Sequence, residues 1–420
     1  RSDAKGSEPE GIVYCRFGGT KYLFVGSERA SVVGVYKVSG GAGNPDVEFV
    51  QVLPTGLGPE GLLCIPQRNL FIVASEEDSR EDKFRAGLSI YQLQEGPPTY
   101  PTIKSDDDSG APIPWGALSA LAADPDTSDV MYTVYDSFYA KSRIFTIDLT
   151  GDLPTISAQL VIKDPDGLLP SEFTVHGDSS VNLDPEGLAV SPVTGNFYVA
   201  SEGSGTVGDL NRPFETPNVL CEVDAAGDIV RVVQLPAALA GIQVRFGFEG
   251  VTVVDEDGSD AVYVCVQREW GDDPDDQVKI GRYDVAGDSW TFARYPLAAP
   301  TSANGGWVGL SEIVSLGGDE FAVVERDNQA GPDATIKRIY KFSLDGVTLE
   351  PFGNALPLVT KALVEDLIDD LLAPGGNVIE KVEGLTVLPN GDTYIVTDND
   401  GVDDSSGETQ LINLGNVVGE

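Results

Sequence analysis

The sequence predicts an all-β protein of the β-propeller class, and three observations support this prediction. First, a Glu-Gly dipeptide recurs along the chain, with its glutamate at Glu10, Glu60, Glu186, Glu249 and Glu383. Second, each copy is followed by a short apolar run, a turn rich in Pro, Gly or Asp, and a second β-rich run. Third, the period is roughly 50–70 residues, and self-similarity on this scale is typical of propellers and solenoids.

Seven units follow one another along the chain. The first contains YLFVGSE, VVGVYKV and VEFVQVLP, and the second contains GLLCIP, NLFIVASEE and LSIYQLQ. The third contains ALSALAADP, VMYTVYDS, RIFTIDL and AQLVIKD, and the fourth contains GLAVSPVTGNFYVASEG and VLCEVDAAGDIVRVVQLP. The fifth continues with GVTVVDEDGSDAVYVCVQREW and VKIGRYDVAGDSWTFARYPL, the sixth with LSEIVSLGGDEFAVVERD and IKRIYKFSLDG, and the seventh with EGLTVLPNGDTYIVTDND and TQLINLG.

Each unit is expected to form four short antiparallel strands, because hairpin sequences such as AAGD, AGDS, NGD and TGN separate its β-rich runs. Four strands in a radial repeat make a propeller blade. The expected architecture is one propeller domain over residues 1–420, with blades 1–2 in residues 1–110 and blades 3–7 in residues 111–420. Six blades with an irregular remainder is the alternative, since the last unit lacks an obvious fourth strand.

One segment predicts a helix. In LPLVTKALVEDLIDDLL, residues 356–372, apolar side chains recur at 356, 359, 363, 364, 367, 368 and 371. This is the 3.6-residue period of an amphipathic helix, and Pro374-Gly375-Gly376 follows it as a stop signal. We expect a helix that packs across the edge of a blade.

The net charge of the chain limits the classes of partner that it is expected to bind. The 420 residues include 67 acidic and 27 basic side chains, a formal net charge of −40. Nucleic acid and anionic membrane surfaces are therefore excluded as expected partners, because both are bound through clusters of Lys and Arg. No segment approaches the roughly 20 apolar residues of a membrane span. Such an acidic surface suits a saline or marine habitat or the collection of divalent cations.

The four cysteines lack the spacing of a metal site. Cys15 and Cys64 occupy nearly equivalent places in units 1 and 2, and Cys221 and Cys265 lie in units 4 and 5. One or two disulfides, or four buried free thiols, are both compatible with this placement. Together with the absence of an initiator Met, the cysteines favour a secreted protein, either extracellular or periplasmic.

The Glu-Gly motif also predicts a metal site. In an antiparallel pair, the start of one strand and the end of the next lie at the same edge of the sheet. Carboxylates at these two places should therefore ring the propeller axis, and carboxylate oxygens are the ligands of a hard cation such as Ca²⁺. The expected ligands are Glu60, Glu76, Glu186, Glu202, Glu249, Glu383 and Asp398. The alternative is structural, with each glutamate bonded to the backbone of a neighbouring blade.

Arginines at the ends of two second strands predict an anion clamp. Glu325-Arg326 ends such a strand in unit 6, and Arg268 holds the matching place in unit 5. A cation beside an arginine suits phosphoester hydrolysis, because both neutralise the charge that develops on phosphoryl oxygens. The alternative is a salt bridge from Arg326 to a ring glutamate. His176 is the only histidine, which excludes mechanisms that need two.

These motifs resemble a known family. DPEGLAVSPVTGNFYVASEG, FGFEGVTVV, FAVVERDN and VEGLTVLPNGDTYIVTDND, over roughly 115–415, resemble the phytase-like family described as having esterase-like activity. YLFVGSERASVVGVYKV and QVLPTGLGPEGLLCIPQRNLFIVASEE resemble secreted propellers of the choice-of-anchor type. The resemblance implies a secreted propeller with phosphoester or ester hydrolase activity. It carries over to Glu186, Glu249, Glu383, Glu325, Arg326, Asp398 and Asn399.

Two units depart from the family pattern. Unit 3 has Gly116-Ala117 where a Glu-Gly is expected, and unit 6 has Ser311-Glu312 one residue out of step. A one-residue shift moves a strand side chain to the other face, so Glu312 need not join the ring.

The predicted function is calcium-dependent phosphoester hydrolysis by a secreted propeller. Arg326, Glu325 and Arg268 are the expected catalytic residues, and Arg326, Arg268 and Asn399 the expected substrate contacts. The substrate is a small phosphorylated or ester compound, and the sequence does not indicate an oligomer. One alternative is a non-catalytic binding or assembly module in which calcium is only a brace. A lactonase or carboxylesterase is the other.

Overall fold

Seven β-sheets of three to five strands, each built largely from consecutive strands, dominate the computed structural model. The structure describes residues 6–41, 43–79, 83–400 and 409–419. Neighbouring strands within these sheets pair antiparallel, apart from one added edge strand. The predicted all-β class is therefore confirmed, and the seven predicted units correspond to the seven sheets.

The first two sheets form a unit that we call the N-terminal pair. The first sheet contains β1 (Pro9–Phe17), β2 (Thr20–Ser27), β3 (Val32–Gly41) and β4 (Asn44–Pro54). The second contains β5 (Pro59–Ile65), β6 (Leu70–Ser75) and β7 (Gly87–Gln92), with a 3₁₀ turn at Pro66–Arg68.

The N-terminal pair is held together by an apolar core and one covalent bond. The rings of Phe24 and Phe71 stack between the sheets with their centroids 4.0 Å apart. Cys15 of β1 and Cys64 of β5 form a disulfide, whereas Cys221 and Cys265 are free and buried. Of the alternatives left open by the sequence, one disulfide and two buried thiols is therefore the observed state.

The next two sheets begin after a short irregular segment. That segment carries β8 (Lys104–Ser105), β9 (Asp107–Asp108) and β10 (Ala111–Pro112). The third sheet contains β11 (Leu118–Ala123), β12 (Val130–Tyr135), β13 (Arg143–Asp148) and β14 (Thr155–Val161), with β8 added parallel to β14. A small hairpin of β15 (Thr174–Val175) and β16 (Val181–Asn182) precedes the fourth sheet, which contains β17 (Pro185–Val190), β18 (Phe197–Ser201), β19 (Val219–Val223) and β20 (Ile229–Gln234).

The last three sheets follow a single turn of helix, α1 (Ala237–Ala240). The fifth sheet contains β21 (Phe248–Glu256), β22 (Ser259–Val266), β23 (Gln277–Asp284) and β24 (Ser289–Pro296). The sixth contains β25 (Val308–Gly317), β26 (Glu320–Asp327), β27 (Lys337–Ser343) and β28 (Lys361–Asp366), with a 3₁₀ turn at Gly331–Asp333. After α2 (Ile368–Leu372), the seventh contains β29 (Lys381–Val387), β30 (Thr393–Asp398) and β31 (Leu411–Gly415).

The first strands of sheets three to seven contact one another in cyclic order. β11 contacts β17, β17 contacts β21, β21 contacts β25, β25 contacts β29, and β29 contacts β11 again. We call this arrangement the five-sheet cycle. In the N-terminal pair, β1 contacts β5 instead. A ring of seven blades, or of six, is thus not confirmed, because in the described part of the chain the seventh sheet meets the third.

Glycine at the Glu-Gly motif permits these contacts. A Cβ atom on Gly187 would lie 2.7 Å from the backbone of Glu249 and Val251 in the next first strand. A Cβ on Gly384 would lie 2.9 Å from the backbone of Leu121 in β11. The motif therefore places one first strand directly against the backbone of the next.

The predicted helix at 356–372 is wrong. Lys361–Asp366 is strand β28, which pairs with β27, and only Ile368–Leu372 is helical. The backbone groups along the outer edge of β27 are satisfied by this strand, a tertiary requirement that overrides the local apolar period. Leu367 and Leu371 are fully buried, whereas Leu363 is exposed.

Long loops follow the second strands of several sheets. They connect β6 to β7, β18 to β19, β22 to β23 and β26 to β27. They lie at the edge of the sheets where the Glu-Gly motifs begin. In the described residues, no helix is both long and apolar enough to cross a membrane.

Candidate functional site

A β-bulge occurs at the same place in every first strand. The pairing register shifts at Glu10, Glu60, Ser119, Glu186, Glu249-Gly250, Ser311 and Glu383. A bulge inserts one residue without a direct partner and turns its side chain away from the regular alternation. The Glu-Gly motif is therefore the sequence of a bulge, and the bulged side chains share one edge of the sheets.

The bulges correct the sequence alignment in two sheets. In the third sheet the bulge is at Ser119-Ala120 and not at Gly116-Ala117, and the Ser119 hydroxyl donates to the Pro185 carbonyl oxygen at 2.7 Å. In the sixth sheet the bulged residue is Ser311, so Glu312 takes the place of the glycine. Serine therefore replaces glutamate at two of the five bulges of the five-sheet cycle.

Glu312, whose place the sequence left open, lies where the first strands of the cycle meet. Its carboxylate accepts backbone N–H groups of Ile313, Val251 and Leu121, from three different first strands. Its side chain is 1% exposed, and burial raises the pKa of its carboxyl group. Glu312 therefore joins sheets three, five and six, which is the structural role that the sequence analysis held open for the ring glutamates.

The predicted metal ligands separate into two sets by burial. Glu186, Glu249, Glu383 and Asp398 are buried, and Glu202 is partly buried. Glu60 and Glu76, in the N-terminal pair, are exposed. The structure thus gathers five of the seven predicted ligands in the five-sheet cycle and leaves the other two at the surface.

Asp136 links two groups of carboxylates. Oxygen atoms of Asp136, Asp398 and Asp400 lie within 4.8 Å of one another, as do those of Asp136, Asp184 and Glu186. We call the full set the acidic centre, which comprises Asp136, Asp184, Glu186, Glu202, Glu249, Glu383, Asp398 and Asp400. Each of the two groups offers carboxylate oxygens, the type of ligand that a hard cation binds.

Strand geometry explains this convergence. Asp136 and Glu202 directly follow the second strands β12 and β18, and Asp398 ends β30. Asp184 immediately precedes the first strand β17. Since the start of a first strand and the end of a second strand share an edge, these carboxylates meet at the mouth of the cycle.

Lys381 neutralises one side of the acidic centre. Its Nζ lies 2.5 Å from Asp400, 3.2 Å from Asp398 and 3.6 Å from Asp136. Burial lowers the pKa of Lys381, but these carboxylates and Glu383 raise it overall, so the side chain stays an ammonium. The Asp136–Asp398–Asp400 group is therefore already partly compensated, whereas Lys381 reaches the other group only through Asp136.

Arg326 is paired inside the cycle. Its Nη2 donates to Glu383 Oε1 at 2.5 Å, and its Nε donates to the Ser311 hydroxyl at 2.9 Å. Its side chain is 2% exposed. The salt bridge to a ring glutamate, which the sequence analysis kept as an alternative, is the observed arrangement. Among the described residues, Arg326 Nη1 and Glu383 Oε2 have no hydrogen-bond partner.

Glu325 lies away from the acidic centre. Its carboxylate accepts from Lys361 Nζ at 2.5 Å and from the Ala298 backbone N–H at 3.0 Å. Adjacent residues in a strand point to opposite faces, so Glu325 and Arg326 cannot reach the same place. The structure therefore brings Arg326 to the site and leaves Glu325 between sheets five and six.

Arg268 lies at the mouth, between two aromatic rings. Its guanidinium is 4.8 Å from the Phe246 ring centroid and 5.0 Å from that of Trp307. The Glu269 carboxylate is 3.7 Å from the Arg268 guanidinium, and 27% of the Arg268 side chain is exposed. The neighbouring Gly247 N–H donates to Glu202 Oε1 at 2.8 Å, which ties this aromatic rim to the acidic centre. Arg268 can therefore reach both solvent and a molecule held at the mouth.

The remaining predicted residues are placed as follows. Asn399 is buried beside Asp398, next to the acidic centre in the chain. His176 lies in the hairpin of β15 and β16, with Nε2 2.8 Å from the Ala140 carbonyl oxygen. Part of the segment after Asp400, residues 401–408, lies outside the described residues.

The acidic centre carries a strong charge imbalance. Burial raises the pKa of Glu186, Glu202 and Glu249 well above the usual value, and neighbouring carboxylates raise it further. The pKa of Asp398 is raised to about 7, since its burial outweighs the effect of Lys381. In the described structure, the eight carboxylates contact two cationic side chains, Lys381 and Arg326. So much buried negative charge requires bound protons or a bound cation.

Sequence reasoning missed Asp136, Asp184, Asp400 and Lys381. Asp136 ends VMYTVYD in the same place as Glu202 in FYVASE, so its position in the repeat could have identified it. Asp184 immediately precedes β17 and Lys381 is the first residue of β29. Each lies two residues ahead of the bulged glutamate of its strand, Glu186 or Glu383. This shared position, two residues before the glutamate, could have identified both residues, but the Glu-Gly dipeptide does not include it.

Comparison with known proteins agrees with the division of the chain. The family model "Phytase-like: Esterase-like activity of phytase" matches residues 113–401, which span β11 to β30 of the five-sheet cycle. The model "Choice-of-anchor I domain" matches residues 1–41, in the first sheet of the N-terminal pair. No curated protein matches the chain significantly.

Similar solved structures include three of low identity. The Cps50 (Swd1) β-propeller domain of Myceliophthora thermophila is 10% identical, with a TM-score of 0.32 and coverage of 94% of this chain and 98% of that one. The allergen Mala s 1 of Malassezia sympodialis is 13% identical, with a TM-score of 0.34 and coverage of 98% and 94%. A protein of unknown function from Desulfotomaculum acetoxidans is 12% identical, with a TM-score of 0.26 and coverage of 84% and 89%.

Proposed function

The chain belongs to the phytase-like family, described as having esterase-like activity, and on that premise we propose that it is a secreted, calcium-dependent phosphoester hydrolase. The reaction is placed at the mouth of the five-sheet cycle. We take this cycle as the propeller that carries the activity, with the N-terminal pair as an accessory unit beside it.

The buried charge of the acidic centre is the observation that carries this proposal. Eight carboxylates converge there, and Asp136 belongs to both three-residue groups. A divalent cation would compensate charge that Lys381 and Arg326 leave unbalanced. The donors are all oxygen atoms, which is the ligand set of calcium and of similar hard cations.

Asp136, Asp184 and Glu186 are the residues that fit a cation best. Their oxygen atoms lie within 4.8 Å of one another, and Lys381 contacts only one of them. Glu383 Oε2, buried and without a hydrogen-bond partner in the described structure, is a further oxygen donor of the acidic centre. When bound, the ion would polarise a phosphoryl oxygen and lower the pKa of a water molecule.

The other residues of the site bind and orient. Arg268, partly exposed at the mouth, would bind an anionic oxygen of the substrate. Arg326 acts indirectly, because it holds Glu383 in place through the 2.5 Å contact and is itself out of reach of solvent. Phe246 and Trp307 flank the Arg268 guanidinium at the mouth.

Two further features support a secreted protein. The Cys15–Cys64 disulfide suits an oxidising compartment, extracellular or periplasmic. The net charge of −40 suits a saline habitat, where surface charges are screened.

The test is hydrolysis by metal-stripped protein with and without added calcium. Substrates are 4-nitrophenyl phosphate, bis(4-nitrophenyl) phosphate and 4-nitrophenyl acetate. We expect phosphoester hydrolysis that returns with calcium, is lost in Asp136→Asn, and falls about a hundredfold in Arg268→Ala. Asp126→Asn, at an exposed aspartate of the same sheet, is the matched control and should retain full activity.

Two other outcomes would replace the proposal. Calcium-dependent hydrolysis of the acetate alone would favour a lactonase or carboxylesterase, for which the aromatic wall of Phe246 and Trp307 is the supporting observation. No hydrolysis of any substrate, with calcium still raising the Tm, would favour a non-catalytic binding module braced by the ion. The burial of Arg326 against Glu383 favours the non-catalytic binding module, because a buried arginine does not reach a substrate.

A further inference from the structure

A cavity of about 470 Å³ lies between the two sheets of the N-terminal pair and shares no residue with the acidic centre. Its residues come from both sheets and from the segment that follows β7. Small-molecule pockets commonly measure about 300–1,000 Å³, whereas voids in packed protein interiors rarely exceed the size of a water molecule. Its volume is therefore that of a ligand site and not that of a packing defect.

A missing fourth strand explains why the cavity exists. The first sheet of the pair has four strands, but the second has three in the described chain. Where a fourth strand would pack against β4, the irregular segment from Leu93 to Thr99 runs instead. Val50 and Leu53 of β4 consequently line the cavity and are only partly buried.

Aromatic rings form the inner wall. Phe17, Phe24 and Phe71 are buried, and Phe24 stacks on Phe71 across the two sheets. Tyr22 and Tyr91 extend the wall outward, with ring centroids about one ring width from Phe24 and Phe71 respectively, at 6.3 and 6.2 Å. The Cys15–Cys64 disulfide joins the same two sheets, so the separation of the walls is fixed before any ligand arrives.

The rim is polar but carries no positive charge. Four amide side chains and one carboxylate line it, namely Gln51, Asn69, Gln92, Gln94 and Glu95. Amides both donate and accept hydrogen bonds, so they suit hydroxyl and carbonyl groups. No Lys or Arg is among the residues that line the cavity, and Glu95 would repel an anion.

We propose that this cavity binds a small neutral molecule with an apolar ring system and a hydroxyl or carbonyl group at one end. The apolar rings lie against the aromatic wall and the polar end lies against the amide rim. The site is independent of the proposed hydrolase activity, because it is built from the other region of the chain. Phenols and similar aromatic alcohols are the matching chemical class.

Isothermal titration calorimetry with 2-naphthol tests this proposal, using the full chain at pH 7. We expect saturable binding of one molecule per chain and an accompanying rise in Tm. 2-Naphthalenesulfonate has the same rings with a negative charge, and we expect it to bind at least about tenfold more weakly. Cellobiose, which has hydroxyl groups but no aromatic ring, should not bind.

A matched pair of variants locates the site. Leu93→Trp places a larger side chain on a half-exposed leucine that lines the cavity, and should weaken 2-naphthol binding by about tenfold or more. Leu363→Trp makes the same change on a comparably exposed leucine of β28 and should leave binding unaltered. Circular dichroism and Tm confirm that both variants fold.

Several results would overturn the proposal. Absence of saturable 2-naphthol binding means that the cavity holds only water. Equal affinity for the sulfonate, or binding of cellobiose in place of 2-naphthol, contradicts the stated chemistry. Equal losses in Leu93→Trp and Leu363→Trp place the binding elsewhere on the chain.

Discussion

The N-terminal pair and the five-sheet cycle contain the same Glu-Gly bulge, yet the glutamate has a different environment in each. Glu10 and Glu60 are exposed, whereas Glu186, Glu249 and Glu383 are nearly fully buried. The bulge is formed in all five strands, so the local backbone is the same. What differs is the number of neighbouring first strands, which is one in the pair and two in the cycle.

This difference separates the roles of the two residues of the motif. Glycine allows the close approach of the next first strand in both regions, since a Cβ on Gly11 would also meet the backbone of Glu60, at 3.1 Å. Burial of the glutamate requires in addition that the strands close around it. An acidic centre is therefore a property of the cycle, and the dipeptide alone does not create one.

Removal of a buried ion pair should show the largest contrast between the regions. Arg326→Ala leaves Glu383 buried without its partner and should lower the free energy of unfolding by about 3–5 kcal/mol. Arg29→Ala breaks the partly exposed pair with Glu8 and should cost about 0–1 kcal/mol. Urea denaturation followed by circular dichroism measures both values.

A double variant distinguishes the charge from the shape of Arg326. Arg326→Met with Glu383→Gln removes both charges and should recover most of the lost stability. If Arg326→Ala and Arg29→Ala cost the same, the buried pair is not what joins sheets six and seven.

The glycine of the motif gives the second contrast. In Gly187→Ala the new methyl group would lie 2.7 Å from backbone atoms that cannot move independently, and we expect a loss of about 3 kcal/mol. In Gly11→Ala the contacts are 3.1 Å or longer and include a Leu62 side chain that can shift, so we expect about 1 kcal/mol or less. Thermal and urea unfolding of the two variants provide the comparison, and equal losses would show that the two interfaces are equally tight.

Calcium gives the third contrast. At a calcium concentration of a hundred times Kd, the bound ion should stabilise the protein by about 2.7 kcal/mol. Asp136→Asn, which alters the carboxylate shared by both groups, should remove most of this gain, and Glu60→Gln should keep it. The Tm of each variant with calcium and with EGTA measures the effect. If the stabilisation by calcium persists in Asp136→Asn but is lost in Glu60→Gln, the ion binds in the N-terminal pair instead.

The sequence predicted the strands better than their closure. Each Glu-Gly marks the start of a first strand, and TVYD and VASE mark the ends of second strands, because turn chemistry and β-propensity are local. Closure depends on which first strand packs against Gly384, and β11 and β1 both offer an apolar strand of the required kind. Nothing local in the chain distinguishes them, so the seven-blade count could not be refined from the sequence.

The site was predicted in part for a related reason. Glu186, Glu249 and Glu383 were found because they share a dipeptide, whereas Asp136 and Asp184 have no dipeptide of their own. The alternation of side chains could have separated Glu325 from Arg326, since neighbours in a strand face opposite ways. The predicted helix at 356–372 was wrong because its apolar pattern is also compatible with a strand followed by one helical turn. The strand forms because β28 pairs with the otherwise free edge of β27.

The pH dependence of stability should show the smallest of these contrasts. In metal-stripped protein, folded Asp398 has a pKa of about 7, far above that of an unfolded aspartate. Between these values the folded state binds a proton that the unfolded state has lost, so the stabilisation is present at low pH and disappears as the pH rises through about 7. At about 1.4 kcal/mol per pH unit, this amounts to about 2 kcal/mol between pH 5.5 and 7.

The Tm in EGTA should therefore fall from pH 5.5 to pH 8, in 0.5 M NaCl so that repulsion between surface carboxylates is screened. Asp398→Asn should reduce this fall, and added calcium should reduce it by competing with the protons. Asp78→Asn, at an exposed aspartate of the N-terminal pair, should leave it unchanged. A Tm in EGTA that is the same at both pH values would mean that the acidic centre is compensated without protons.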